Sequence, residues 1–90
     1  MYVIKRWTKF KKDYKKYVKD DFTKKELRKV LEFLINWKKL PEKYKDHYLK
    51  GKYSWYKECH IRPDLLLVYK IYDKELILVL FRLWSHSELF

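Results

Sequence analysis

Structure-breaking residues are scarce in this chain, since its 90 residues include one glycine, two prolines and one cysteine. So little glycine and proline argues against a flexible linker or low-complexity segment. A single cysteine excludes the disulfide framework usual in secreted domains of this size. No apolar run approaches the roughly 20 residues needed to cross a bilayer, and residues 1–12 lack the apolar core of a signal peptide. These absences predict a soluble, cytoplasmic protein that does not enter a membrane.

Large apolar side chains are abundant instead. Hydrophobic residues make up 48% of the chain and aromatic residues 20%, which is enough to predict a folded protein rather than a disordered one. A chain this short buries only about two-thirds of its unfolded surface. We therefore expect one domain with one core, spanning residues 1–90.

Positive charge is unevenly placed. Residues 1–52 hold 18 Lys or Arg against 7 Asp or Glu, whereas residues 53–90 hold 5 of each, so the first half carries the whole net charge of +11. A concentrated positive field attracts polyanions, and nucleic acid is the leading partner class. A solvated helix face that keeps the protein soluble is the alternative.

Apolar spacing predicts the elements. Residues 1–6 alternate weakly and favour a strand. Trp7, Phe10, Tyr14, Tyr17 and Val18 recur at helical spacing between lysines, which predicts an amphipathic helix with a basic outer face. Thr23 and Glu26 match a capping box that would begin a second helix, whose buried stripe is Leu27, Val30, Leu31, Leu34 and Ile35.

Three strand-like runs follow an irregular basic segment. They cover residues 53–61, 65–71 and 76–83, and the last two should pair as a hairpin. A strand, two helices and an antiparallel meander predict an α+β fold, β-α-α-β-β-β, with both helices on one face of the sheet. The other face is left for function.

Titratable residues gather in residues 44–64 and again at the end of the chain. The pattern comprises Tyr44, Lys45, Asp46, His47, Leu49, Lys50, Gly51, His60, Pro63, Asp64, Tyr69, Arg82, Ser85, His86, Leu89 and Phe90. In these positions the chain resembles the YafQ branch of the RelE/ParE superfamily of bacterial toxins. The resemblance implies two N-terminal helices packed on a twisted antiparallel sheet, as the periodicity also predicts.

The same resemblance implies a function. Members of this branch cut messenger RNA on the translating ribosome and are silenced by a co-expressed antitoxin, so the implied partners are the ribosome, mRNA and an acidic antitoxin protein. The implied active-site positions are His47, His60, Asp64, His86 and Phe90, with Arg82 as a phosphate contact. Many relatives have glycine before the Ser-His pair, where this chain has Trp84.

The chemistry of RNA cleavage suits these residues. RNA carries its own nucleophile, the 2′-hydroxyl, so cleavage needs a base, an acid and positive charge near the phosphate, but no metal and no cofactor. Histidine serves as acid or base because its ordinary pKa of about 6.5 populates both forms near neutrality. We expect His47 and His86 to flank the scissile phosphate, Asp64 to orient a histidine or raise its pKa, and Arg82 to stabilise phosphoryl charge.

Aromatic and basic side chains supply the candidate binding surfaces. Phe90 is predicted to stack on a base, a contact that contributes roughly 1–3 kcal/mol. Tyr53, Trp55, Tyr56 and Tyr69 are expected mainly in the core, with Tyr56 and Tyr69 as candidates for an exposed, RNA-binding side. Lys11, Lys12, Lys15 and Lys16 are expected to contact ribosomal RNA or, alternatively, the antitoxin.

Other functions stay open at this point. A ParE-like inhibitor of DNA gyrase, or a plain RNA-binding module, would need no acid and base groups on one surface. Cys59 and the histidines offer zinc donors, but neighbouring strand residues point to opposite faces, so Cys59 and His60 make a poor ligand pair.

Overall fold

The computed structural model describes residues 1–85; His86 and Phe90, two of the predicted site residues, lie outside the described residues. The helices are α1 (Thr8–Tyr17) and α2 (Asp21–Ile35). The strands are β1 (Val3–Arg6), β2 (His47–Tyr48), β3 (Lys57–Arg62), β4 (Leu65–Tyr72) and β5 (Ile77–Ser85). Short 3-10 turns lie before and after β2, at Glu42–Tyr44 and Gly51–Tyr53.

The five strands form one sheet in the order β1-β5-β4-β3-β2. The predicted α+β fold and the hairpin of β4 with β5 are confirmed. Two features differ from the prediction. β1 runs parallel to β5, because the two strands are separated by most of the chain and no tight turn imposes an antiparallel direction. The short strand β2 adds an edge to β3.

Helix α2 begins one turn earlier than predicted. Asp20 is its N-cap, and the Asp20 carboxylate accepts a hydrogen bond of 2.7 Å from the Thr23 backbone N–H. The predicted capping box of Thr23 and Glu26 is therefore wrong, because Asp20 supplies the side-chain oxygen that the first turn needs. Both residues are instead buried, and Glu26 accepts a hydrogen bond from the Tyr44 hydroxyl.

The core lies between the helices and one face of the sheet. Its buried side chains include Leu67 and Tyr69 of β4, Leu78, Leu80 and Leu83 of β5, and Phe10, Leu27, Val30 and Leu34 of the helices. Because strand side chains alternate, Leu66 and Val68 point the other way. We call that side, turned away from α1 and α2, the open face of the sheet.

Aromatic residues before β3 depart from the prediction. The strand expected at 53–61 begins only at Lys57, since Tyr53 belongs to a 3-10 turn. Tyr53 and Trp55 are exposed rather than buried, while Tyr69 is fully buried rather than exposed. Among residues 1–85, no helix is long and apolar enough to cross a membrane.

Candidate active site

Strand register places ionisable side chains in a row across the open face. His47 of β2 lies opposite Glu58 of β3, Glu58 opposite Val68 of β4, and Val68 opposite Arg82 of β5. Opposed residues point to the same side of a sheet, so His47, Glu58 and Arg82 share the open face. His60 lies two residues after Glu58 and therefore on the same face.

His47 is oriented by two oxygen atoms. Its Nδ1 lies 2.6 Å from the Lys45 carbonyl oxygen, and its Nε2 lies 3.2 Å from Oε1 of Glu58. A carbonyl only accepts, so Nδ1 carries a proton and donates it to Lys45. Its partner Glu58 is largely buried, while about half of the His47 side chain meets solvent. The two contacts thus fix the orientation of an imidazole ring that solvent can reach.

His60 lies beside His47. The ring centroids are 6.5 Å apart, so two of the predicted site residues, which lie on different strands, are brought together. His60 also lines an open cavity of about 470 Å³ at the outer side of β3. Lys43, Lys45 and Arg62 line the same cavity together with Glu26, which pairs with Lys43, so positive charge is in excess there.

Arg82 reaches from the open face to a residue of α1, at the edge of β5 that β1 leaves unpaired beyond Leu80. Its Nε donates to Oδ2 of Asp13 at 2.7 Å and its Nη2 to Oδ1 at 3.3 Å, and the Leu83 backbone N–H donates to Oδ2 at 3.0 Å. The hydrogen bond to Asp13 raises the pKa of Arg82 above its ordinary value. The guanidinium also lies 5.6 Å from the ring of Trp84. Arg82 is thus a fixed positive charge at the end of the row.

Asp46 anchors the segment that carries His47. Its carboxylate accepts hydrogen bonds from the Tyr69 hydroxyl and the Lys57 ammonium group. Burial, followed by the bond to Asp46, raises the pKa of Tyr69. The predicted role of Tyr69 as an RNA contact is wrong, because Tyr69 pairs with Lys57 and Leu80 on the core side of the sheet. Through Asp46, Tyr69 holds the segment that carries His47 from the core side of the sheet.

Asp64 lies apart from the row of His47, Glu58 and Arg82. It is exposed in the turn between β3 and β4, and it lines a depression of about 240 Å³ together with Arg62 and Ser85. Ser85 is the last described residue and precedes His86 in the sequence. The structure therefore links Asp64 with the end of β5, rather than with His47.

The remaining predicted residues occupy two surfaces. Lys11, Lys12, Lys15 and Lys16 are exposed on α1, as the helical periodicity predicts. Lys57 points to the core side of the sheet, so Tyr56, the residue before it, faces the open side. Tyr56 is half-buried there against Phe81, with the two ring centroids 4.6 Å apart. Tyr56 thus lies on the open face, half-buried rather than fully exposed, and its contact with RNA stays a prediction.

Metal ligands do not gather in the described part of the chain. Within residues 1–85, no group of three or more His, Cys, Asp or Glu side chains could hold an ion. Cys59 is fully buried in the core, and burial raises the pKa of its thiol, which keeps it in the neutral form. Cys59 and His60 point to opposite faces, as expected for neighbours in a strand.

Glu58 and Asp13 are site residues that the sequence interpretation missed. Glu58 had a usable signal, because it precedes His60 by two residues in a strand and must share its face. Asp13 had a weaker one, as an acidic residue among the lysines of α1. Its partner Arg82 is 69 residues away, and only the tertiary structure joins them.

Comparisons with known proteins identify the family of the chain. Residues 2–90 match the family model described as the bacterial toxin of type II toxin-antitoxin system, YafQ. The mRNA interferase toxin YafQ of Escherichia coli K12 is 37% identical over 82 residues, which cover 90% of this chain and 87% of that protein.

Solved structures give the same result. A metal-bound toxin from Helicobacter pylori is 51% identical with a TM-score of 0.88, and the match covers 100% of both chains. YafQ in the E. coli DinJ-YafQ complex is 33% identical with a TM-score of 0.80, over 100% of this chain and 99% of that chain. The family match over nearly the whole chain and these similarities in sequence and fold show that the protein belongs to the YafQ family of toxins from bacterial type II toxin-antitoxin systems.

Proposed function

We propose that the protein is an mRNA interferase, an endoribonuclease that cuts messenger RNA on the ribosome in the cytoplasm and is neutralised by an acidic antitoxin. The observation that carries the proposal is the convergence of His47 and His60, 6.5 Å apart on the open face, beside Glu58 and in line with Arg82. An E. coli relative is named as an mRNA interferase, and another is seen in complex with the antitoxin DinJ.

The reaction divides among the side chains of the row. The 2′-hydroxyl attacks the neighbouring phosphate after a base takes its proton, and an acid protonates the leaving 5′-oxygen. His47 is proposed as the acid, because its ring is held between the Lys45 carbonyl and Glu58 while about half of its side chain stays open to solvent. His60 or His86 is then the base.

Arg82 supplies positive charge near the phosphate in this scheme. Asp13 occupies its Nε and Nη2, whereas Nη1 takes no part in that pair. A guanidinium fixed in this way stabilises developing phosphoryl charge with little reorganisation. Asp64, which shares a depression with Ser85, is proposed to position the following residue, His86. Phe90 and Tyr56 are proposed to stack on bases of the messenger.

Single histidine variants test the proposal. His47→Ala, His60→Ala and His86→Ala should each lower cleavage of ribosome-bound messenger by about a hundredfold or more. Tyr48→Ala is the matched control for His47, since Tyr48 is the neighbouring exposed residue of β2 and points to the other face. Near-wild-type cleavage by all three folded histidine variants would sink the proposal, whereas a loss limited to them would support acid-base catalysis.

Metal independence is a separate part of the proposal. The H. pylori relative was solved with a metal bound, but residues 1–85 of this chain offer no ligand group of three for an ion. Acid-base catalysis by histidine needs no metal, so purified toxin treated with EDTA should keep its rate once the ribosome's magnesium is restored. A rate that falls with EDTA and returns with a stoichiometric metal would contradict this part.

A gyrase inhibitor and a plain RNA-binding module are the competing functions. Neither needs the hydrogen-bonded His47–Glu58 pair beside His60, so the three histidine variants should leave either activity intact. Gyrase supercoiling assays with wild-type protein and His47→Ala separate these functions from cleavage.

A further inference from the structure

Four aromatic rings form a connected surface next to the row of His47, Glu58 and Arg82. Phe81 lies 3.9 Å from the ring of Trp7 and 4.6 Å from that of Tyr56, and Tyr53 lies 6.2 Å from Tyr56. We call these four residues, Trp7, Tyr53, Tyr56 and Phe81, the aromatic patch.

Two rings of the patch, Trp7 and Tyr53, are exposed, and the other two, Tyr56 and Phe81, are half-buried. Trp7 is 45% exposed and Tyr53 is 42% exposed, and none of the four residues belongs to the core. An aromatic ring that stays exposed to water contributes no burial free energy to folding. Connected rings of this kind on a small protein mark a binding surface.

Positive charge borders the rings. The Lys70 ammonium group lies 5.4 Å from the ring centre of Tyr56, and that of Lys52 lies 5.3 Å from the ring centre of Tyr53. Rings that stack on bases, combined with cations that contact the backbone, are the combination that binds single-stranded nucleic acid.

The patch also continues from the candidate active site. Tyr56 precedes Glu58 by two residues and Phe81 directly precedes Arg82. Two residues of a strand span about 7 Å, so the rings begin one row away from the ionisable side chains. An RNA strand cleaved at the row of His47, Glu58 and Arg82 would therefore place its neighbouring nucleotides over the aromatic patch.

We propose that the aromatic patch binds the bases of single-stranded RNA next to the cleavage point, by stacking that tolerates different bases. Of the four patch residues, only Tyr56 was expected to contact RNA from the sequence. The proposed surface adds Trp7, Tyr53 and Phe81, with Lys70 and Lys52 as phosphate contacts. The inference rests on the proposed RNA-cleaving function, but binding can be measured without cleavage.

The probe is a 2′-O-methyl RNA oligonucleotide, which lacks the attacking hydroxyl, compared with an abasic strand of the same length. The double variant Trp7→Leu/Tyr53→Leu removes two exposed rings, and Trp7→Phe/Tyr53→Phe keeps them. Trp37→Leu is the control, because Trp37 is 60% exposed and packs on Tyr2, on the helical side of the sheet. Tyr53→Leu alone serves if the double variant fails to fold.

Wild-type protein should bind the base-bearing strand more tightly than the abasic strand. The double leucine variant should lose at least about tenfold in affinity for the former only, while the phenylalanine and Trp37→Leu variants stay near wild type. Equal binding of both strands by wild type, or an unchanged affinity of the leucine variant, overturns the inference. A leucine variant that binds RNA normally but no longer binds the antitoxin also overturns the inference, because the patch would then be an antitoxin-binding surface. Because the probe is not cleaved, failure of the histidine variants to lose activity would affect the proposed function and not this measurement.

Discussion

Asp13 is expected to be the most consequential polar residue of α1. Its carboxylate receives three hydrogen bonds from β5, two from Arg82 and one from the Leu83 backbone. Asp13→Ala would leave a buried N–H without an acceptor and a guanidinium without its counter-charge. Hydrogen bonds to charged groups contribute about 1.5–3 kcal/mol, and breaking a fully buried ion pair costs about 3–5 kcal/mol.

The expected magnitude follows from the exposure of the pair. The side chain of Asp13 is 11% exposed and that of Arg82 is 28% exposed, so water recovers part of the loss at Arg82. We expect Asp13→Ala to lower the free energy of unfolding by about 3 kcal/mol. In a domain of this size that corresponds to a fall in Tm of roughly 12–24 °C.

Thermal and urea unfolding followed by circular dichroism measure this loss. Asp13→Asn keeps an oxygen acceptor for the Leu83 N–H, so it should lose about half as much. Lys12→Ala, at the neighbouring exposed position of α1, should stay near wild type. A double-mutant cycle with Arg82→Ala should give a coupling of about 1 kcal/mol or more. A Tm of Asp13→Ala within about 4 °C of wild type would refute the reasoning.

Three further predictions concern other parts of the molecule. Neutralising Lys11, Lys12, Lys15 and Lys16 together should weaken association with the ribosome. The slope of log affinity against log salt should fall by about 0.7–0.9 for each phosphate contact that is lost. The control neutralises four exposed cations of α2, namely Lys24, Lys25, Arg28 and Lys29. Since Lys11 and Lys15 also line an apolar groove with Phe10 and Leu27, an unchanged slope with lost antitoxin binding would assign the lysines to neutralisation instead. Tyr69→Phe should destabilise the fold by about 1 kcal/mol in urea titrations, because the hydrogen bond to Asp46 is lost, without changing affinity for RNA; a selective loss of RNA affinity would contradict its place in the core. Hydrogen bonds from Thr23 hold the pKa of Asp20 below its ordinary value of 3.8, so the stability that Asp20 adds is complete above pH 3.8 and is lost as the pH falls through the lower pKa of the folded state. The unfolding curves of Asp20→Ala and wild type should therefore differ at pH 7 and converge in strong acid. A stability difference that does not depend on pH would contradict the capping role.

Local periodicity was sufficient to predict both helices, the strands other than β2 and the fold class. Phe10, Tyr14 and Val18 on α1 and Leu27, Val30 and Leu34 on α2 recur at helical spacing, and the core contains these stripes. Together with the YafQ-like pattern of the second half, this was enough to predict the α+β fold and the family, both of which are confirmed. The helix N-cap was mistaken, because Asp20 and Thr23 are both good capping residues and local sequence does not choose between them.

The faces that side chains share and the partners that they meet depend on segments far apart in the sequence, so they are seen only in the folded chain. Tyr56 and Tyr69 are each followed by lysine, yet Tyr56 packs on Phe81 at the open face and Tyr69 donates a hydrogen bond to Asp46 on the core side. The contacts of Glu58 with His47 and of Asp13 with Arg82 join segments 11 and 69 residues apart. Register and helix docking set such contacts through the packing of the whole core, and no short stretch of sequence contains that information.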